Sequence, residues 1–81
     1  MKIHNIPVDE IYVPAPRRKT LEAAKVEELS EDILENGLQR PIQVRTGKDR
    51  YVIVEGYHRL QACIALGEEA IDCYIVQAKK F

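Results

Sequence analysis

Arg50-Tyr51-Val52-Ile53-Val54-Glu55-Gly56-Tyr57-His58-Arg59 passes from a β-type run into a helical one across a single glycine. Tyr51 to Val54 are aromatic or β-branched, the side chains that suit a pleated strand. Gly56 permits the tight backbone geometry that such a change of direction needs. From Tyr57 to about Leu66, apolar Leu60, Ile64 and Leu66 indicate a helix, and Gly67 stops it. A helix that starts here presents unpaired amide N–H groups and the positive end of its dipole, a ready setting for an anion. Cations in the first turn oppose that dipole, so His58 and Arg59 make better sense with an anion among them. Arg59 can fork onto two phosphate oxygens, and His58 can donate one more hydrogen bond. The same residues also read plainly as a turn glycine followed by surface side chains pairing with an acid such as Glu55. The local sequence leaves both readings open.

Working outward, Pro41-Ile42-Gln43-Val44-Arg45 is a second β-type run. Thr46-Gly47-Lys48-Asp49 is the turn that joins it to Arg50–Val54 as a hairpin. Ala70 to Val76 reads as a closing strand, and Ala78-Lys79-Lys80-Phe81 as a polar tail. Upstream, Thr20 is the expected N-cap of a helix from Leu21 to Asn36. Its apolar stripe is Val26, Leu29, Ile33 and Leu34, with Glu22, Glu27, Glu28, Glu31, Asp32 and Glu35 over the rest. Asn36-Gly37 ends it, since glycine accepts a positive φ.

Ile3 to Val13 reads as a short strand, a turn and a second extended piece, interrupted by Pro7. Pro14-Ala15-Pro16 is expected to forbid regular helix and to run as an extended loop. Arg17-Arg18-Lys19 then places three positive charges at its end, either as solvated surface or, through Arg17 above all, as an anion contact. The sum is an α+β fold: one small mixed sheet packed with two main helices, a single domain over residues 1–81.

Bulk composition narrows the function. Eighty-one residues cannot build two useful cores. Twelve basic and thirteen acidic side chains give a net charge of -1, against the basic surplus that phosphate neutralisation of DNA requires. DNA binding by this chain alone is therefore not expected. No apolar run approaches the ~20 residues that span a bilayer. Met1-Lys2-Ile3-His4-Asn5 lacks the apolar core of a secretory signal, so a cytoplasmic protein without membrane contact is expected. Cys63 and Cys73 form no zinc spacing and read as two buried thiols.

The order of these pieces resembles the superfamily of sulfiredoxins and ParB N-terminal domains, over nearly the whole chain. Their shared run is I-x-x-I-P-V-x-x-I, a proline loop, L-D-P-A-K-V-x-x-L, G-L-x-x-P-I-x-V, a hairpin and a G-x-x-R turn. Here it stands as Ile3-His4-Asn5-Ile6-Pro7-Val8 to Ile11, and then as Leu21-Glu22-Ala23-Ala24-Lys25-Val26 to Leu29. Gly37-Leu38-Gln39-Arg40-Pro41-Ile42-Gln43-Val44 and Gly56-Tyr57-His58-Arg59 complete it. The His-Arg pair leans toward sulfiredoxins, whose turn reads G-C-H-R, whereas ParB domains carry G-E-R-R.

The resemblance implies that ATP or ADP phosphates rest on Lys25, His58 and Arg59, with Gly56 and Tyr57 in the same turn. Lys25 has a plain alternative as a surface partner of Glu28 or Glu22. Two departures from the sulfiredoxin pattern bear on chemistry. Glu28 and Asp32 replace the hydroxyl residues three and seven places after the lysine, on the same helical face. Carboxylates there either weaken nucleotide binding or hold Mg²⁺ beside the phosphates. Tyr57 replaces the sulfiredoxin cysteine, and a phenol cannot form the sulfur–sulfur intermediate of sulfinic acid repair. Cys63 is no substitute, lying about 600° around the helix and ~9 Å along it. Tyr57 either packs in the core or closes over the pocket mouth.

Three functions follow as expectations. The first is a nucleotide-binding protein acting as a phosphotransferase or ATPase, with Glu55 available as a base. The second is a non-catalytic ParB-like module that binds nucleotide or a protein partner in a DNA-partition setting. ParB proteins carry a helix-turn-helix domain after this one, and none is read before Phe81. A ParB-like nuclease ranks last, for want of a cluster of acids beyond Glu28 and Asp32.

Overall fold

The computed structural model describes residues 1–77; the expected polar tail from Ala78 to Phe81 lies outside the described residues. Nine elements follow one another: β1 (Ile3–Pro7), a 3-10 turn (Val8–Glu10), β2 (Ile11–Tyr12), α1 (Ala15–Arg18), α2 (Ala23–Asn36), β3 (Ile42–Thr46), β4 (Tyr51–Glu55), α3 (Tyr57–Ala65) and β5 (Ala70–Ile75). The strands form one sheet in the order β1-β5-β3-β4-β2. β1 runs antiparallel to β5 and β3 antiparallel to β4, while β5 with β3 and β2 with β4 are parallel. This is the mixed α+β sheet read from the sequence.

One face of the sheet carries the core. The register sets Ile6 beside Ile71 and Ile42 beside Cys73, and Val44 lies opposite Ile53. Period-two alternation then sends all six to the same side. Leu60 and Cys63 of α3 seal that side, and Ile42, Val44 and Cys73 are wholly removed from solvent. α3 thus lies directly on β3, and α2 packs chiefly against α3 as an outer layer. α2 accordingly has no fully buried residue. Its inward stripe is Val26, Leu29 and Ile33, all half-buried, whereas Leu34 is 76% exposed. The expectation for Leu34 fails because a helix on a helix buries a narrower stripe than a helix on a sheet. Ile64 of α3 is likewise 42% exposed, since the buried face of that helix runs through Tyr57, Leu60 and Cys63.

Two local expectations are corrected. Pro14-Ala15-Pro16 does not run as an extended loop; it opens the one-turn helix α1. Pro14 is the N-cap and Pro16 sits in the first turn, where a helix has no use for the missing N–H. Thr20 does not cap α2. Its Oγ1 donates to the Arg17 carbonyl at 2.7 Å, closing α1 instead, and Glu22 is the N-cap of α2. Gly37 does end α2, at φ 77°, with its amide donating to the Ile33 carbonyl at 2.7 Å.

Cys63 and Cys73 are free and buried, as read from the sequence. Burial, and then the negative charge of Asp72, pushes the Cys73 thiol up to about 11 from its ordinary 9.0. Burial also raises Cys63, with Glu68 and Asp72 adding to it. The unfolded chain therefore gives up the Cys73 proton first as pH rises. Stability is full below the unfolded value and is lost as pH rises through the folded one. Melting temperature should fall between pH 9 and pH 11, and Cys73→Ala should flatten part of that fall. An identical slope in the variant would refute the assignment.

Candidate functional site: an arginine-lined pocket at the start of a helix

The site grows from the end of β4. The pairing of β3 with β4 shifts between Gln43 and Val44, because Gln43 faces Glu55 while Val44 faces Ile53. Val54 is thereby left without a register partner on β3, as the extra residue of a bulge. Its freed carbonyl accepts a hydrogen bond from Nη1 of Arg17 at 2.9 Å. This contact reaches across 37 residues and draws α1 to the tip of β4. Arg18 assists from the other side: its Nε donates to the Val13 carbonyl at 2.9 Å, and its guanidinium lies 5.6 Å from the Tyr12 ring centre.

Gly56 then turns the chain into α3 at φ 101° and ψ 29°, left-handed geometry that L side chains rarely adopt. A second constraint is steric. A Cβ at Gly56 would stand 2.6 Å from Cγ2 of Ile42, in the centre of the core. The Leu60 amide is the first of α3 to bond back, to the Gly56 carbonyl at 2.9 Å. The amides of Tyr57, His58 and Arg59 have no partner among the described residues.

These elements enclose a hollow of about 420 Å³. Arg17 from α1, Arg40 ahead of β3 and Arg59 of α3 supply three guanidiniums against one carboxylate, that of Glu55. Arg59 is anchored by Nη1, which donates to the carbonyls of Arg40 at 2.9 Å and Pro41 at 3.2 Å. Its pKa is lowered first by burial and then by the charge of Arg40, with Glu55 opposing; a guanidinium remains a cation throughout. His58 lines the hollow too, but its Nε2 is already engaged, accepting from the amide of Glu22 at 3.1 Å. Tyr57 packs in the core, at 6% exposed, and also lines the hollow. Its ring centre stands 6.0 Å from that of His58. Free amides, a dipole end and a threefold positive charge together suit an anion of several charges.

Five of the residues expected from the sequence thus meet here: Arg17, Gly56, Tyr57, His58 and Arg59. The other three do not line this hollow. Lys25, Glu28 and Asp32 lie along α2 in a larger hollow of about 610 Å³, with Glu31 and Glu35. Four carboxylates against one ammonium repel phosphate, so the smaller arginine-lined hollow suits an anion better despite its size. Lys25 pairs with Glu22 at 3.5 Å, both side chains well exposed, as its plain alternative allowed. Leu29 borders both hollows. Among the described residues, no group of three or more His, Cys, Asp or Glu could hold a metal ion. No helix among them is long and apolar enough to cross a membrane.

Sequence reasoning gave no role to Arg40 and assigned Thr20 to the wrong helix. Arg40 had one usable signal: it precedes Pro41 at the start of β3, whose hairpin partner carries Gly56. Nothing local announces the bulge at Val54.

A left-handed glycine leading a strand into a helix, with three arginines lining the hollow beside it, marks an α+β domain whose helix start suits an anion. Its family follows from comparison: the sequence matches the ParB N-terminal domain family over residues 1–80, and the chain belongs to that family. It is 35% identical over 78 residues to the chloroplastic/mitochondrial sulfiredoxin of Arabidopsis thaliana, spanning 96% of this chain and 62% of that protein. The crystal structure of that sulfiredoxin superposes with a TM-score of 0.84 at 33% identity, over 96% of this chain and 88% of the other. The ATP-dependent L-serine kinase of Desulfurococcus mucosus is 43% identical over 56 residues, 65% of this chain and 22% of the kinase. The C-terminally truncated chromosome-partitioning protein ParB of Caulobacter crescentus, complexed with CTP-gamma-S, superposes with a TM-score of 0.81 at 25% identity, over 99% of this chain and 47% of that one. The chain therefore spans less than two thirds of the two curated relatives.

Proposed function

We propose that this domain binds a nucleotide of the ATP or ADP class, with the phosphates seated on the first turn of α3. The observation that carries this is that Arg17, Arg40 and Arg59 line one hollow with the start of α3, where the amides of Tyr57, His58 and Arg59 are unpaired. An inorganic anion would satisfy one or two of these groups; a polyphosphate chain satisfies them together. Support also comes from the relatives: one is an ATP-dependent kinase and another was crystallised with a CTP analogue. Lys25 reaches the phosphates only by leaving Glu22 and turning from the acidic hollow toward the arginine-lined one, which shares Leu29 with it. An exposed pair of this kind is held weakly enough to allow that. Mg²⁺ enters with the nucleotide rather than as a resident ion, with Glu28 and Asp32 as the carboxylates on the α2 side.

Phosphoryl transfer is the finer reading, favoured by the position of Glu55. Among the described residues it is the one carboxylate lining the arginine pocket, and it immediately precedes Gly56. A carboxylate beside a bound phosphate can take the proton of an incoming hydroxyl. Thiol chemistry is disfavoured, because Tyr57 holds the cysteine position and burial keeps Cys63 and Cys73 protonated.

Thermal unfolding with ATP, ADP and CTP, with and without Mg²⁺, tests the reading. Ligand at about 100 times its dissociation constant adds ~2.7 kcal/mol. For a domain of this size that amounts to a rise of about 10–20 °C in Tm. No shift with any nucleotide would overturn nucleotide binding. ADP formation from ATP that depends on Glu55 would establish phosphoryl transfer, to water if inorganic phosphate appears with it and to an acceptor hydroxyl if not. No ADP formation with bound nucleotide, with or without added hydroxyl acceptors, would leave a binding module.

A further inference from the structure

The contact between Glu22 and His58 joins the starts of two helices. The Glu22 amide donates to Nε2 of His58 at 3.1 Å, across 36 residues of chain. An amide can only donate, so Nε2 receives it through its lone pair and the ring proton stands on Nδ1. Glu22 is the N-cap of α2 and makes no side-chain cap of its own. Its carbonyl accepts from the amides of Lys25 and Val26, each at 3.1 Å, and its carboxylate faces Lys25 at 3.5 Å. One residue, Glu22, therefore holds the first turn of α2 through its carbonyl and is itself held by His58 through its amide. His58 is also the second residue of α3, with its own amide among those free to meet a ligand.

We infer that His58 is a positioning residue, fastening the start of α2 to the start of α3 so that a ligand on α3 and the first turn of α2 are coupled. On the ligand side it offers a single ring donor, Nδ1–H, because Nε2 is committed to Glu22. Its removal frees the turn that presents Lys25. The helix-to-helix link stands on the geometry alone; only the ligand half rests on the nucleotide reading above.

Backbone amide hydrogen exchange, read residue by residue by NMR, tests this on wild type, His58→Ala, His58→Gln and His58→Asn. The amide oxygen of Gln can reach the place of Nε2, whereas that of Asn reaches only the place of Nδ1. The amides of Glu22, Lys25 and Val26 should exchange about tenfold faster in the Ala and Asn variants, and close to wild type in Gln. Equal rates in wild type and His58→Ala, or a Gln variant no better than Asn, would overturn the positioning role. The Gln and Asn variants decide the matter even if His58→Ala does not fold. With ATP added, protection at Glu22 should rise in wild type and not in His58→Asn; equal protection in both would overturn the coupling. If ATP fails to bind wild type at all, the nucleotide reading falls, and the ligand-free comparison still decides the role of His58.

Discussion

Gly56→Ala should destabilise the domain by about 2–5 kcal/mol and lower its Tm by ~10 °C or more. Two costs add at this position. The backbone sits at φ 101°, where a side chain brings about 1–3 kcal/mol of strain. The added Cβ would also meet Ile42 at 2.6 Å and 2.9 Å, and Ile42 cannot withdraw because it is wholly buried. Overpacking of that kind costs typically ~1–3 kcal/mol more. Gly37→Ala is the matched control. Its φ of 77° is also unfavourable, but a Cβ there meets nothing within 4 Å. Thermal and urea melts of both variants should show Gly56→Ala as clearly the worse. Equal costs would mean that the contact with Ile42 yields easily, and that the turn is less tightly built than its geometry indicates.

Arg59→Ala should weaken nucleotide binding by about 10- to 100-fold, the loss expected for a hydrogen-bonded charge. It removes one of three guanidiniums from the pocket, and with it the tie between α3 and the carbonyls of Arg40 and Pro41. That tie fixes the fork, so its free nitrogens enter the pocket in one orientation. Arg59→Lys keeps the charge but cannot span both carbonyls and a phosphate, and it should recover only part of the affinity. Calorimetric titration with ATP would measure both variants. Full affinity in Arg59→Ala would remove this residue from the binding site, leaving it a structural clamp between α3 and β3.

Much of this arrangement was legible in the chain because it depends on neighbours. Val52 and Ile53 followed by Gly56 announce a strand and a turn, and Asn36-Gly37 marks the end of α2. Arg59, Gly56 and Tyr57 share one turn of backbone, so their proximity needs no fold to establish it. What stayed hidden depends on distant partners. Arg17 was itself expected at an anion, but not the bulge that frees the Val54 carbonyl, 37 residues away, to hold it there. Thr20 turns back to Arg17 because α1 exists, and α1 exists because its prolines fall where helices tolerate them. The separation of Lys25 from Arg59 follows from α2 packing on α3 rather than on the sheet, which no periodicity reveals. His58 was read as a free donor, yet its Nε2 is taken by the Glu22 amide.

Phosphates seated on the first turn of α3 would perturb that turn before any other part of the domain. An ATP titration followed in amide ¹H–¹⁵N spectra tests this seating most directly. The largest shifts should fall on the amides of Tyr57, His58 and Arg59, with the Arg17 and Arg40 side-chain signals moving alongside. Shifts confined to the hollow of Glu28, Glu31 and Glu35, or none at millimolar ATP, would contradict it.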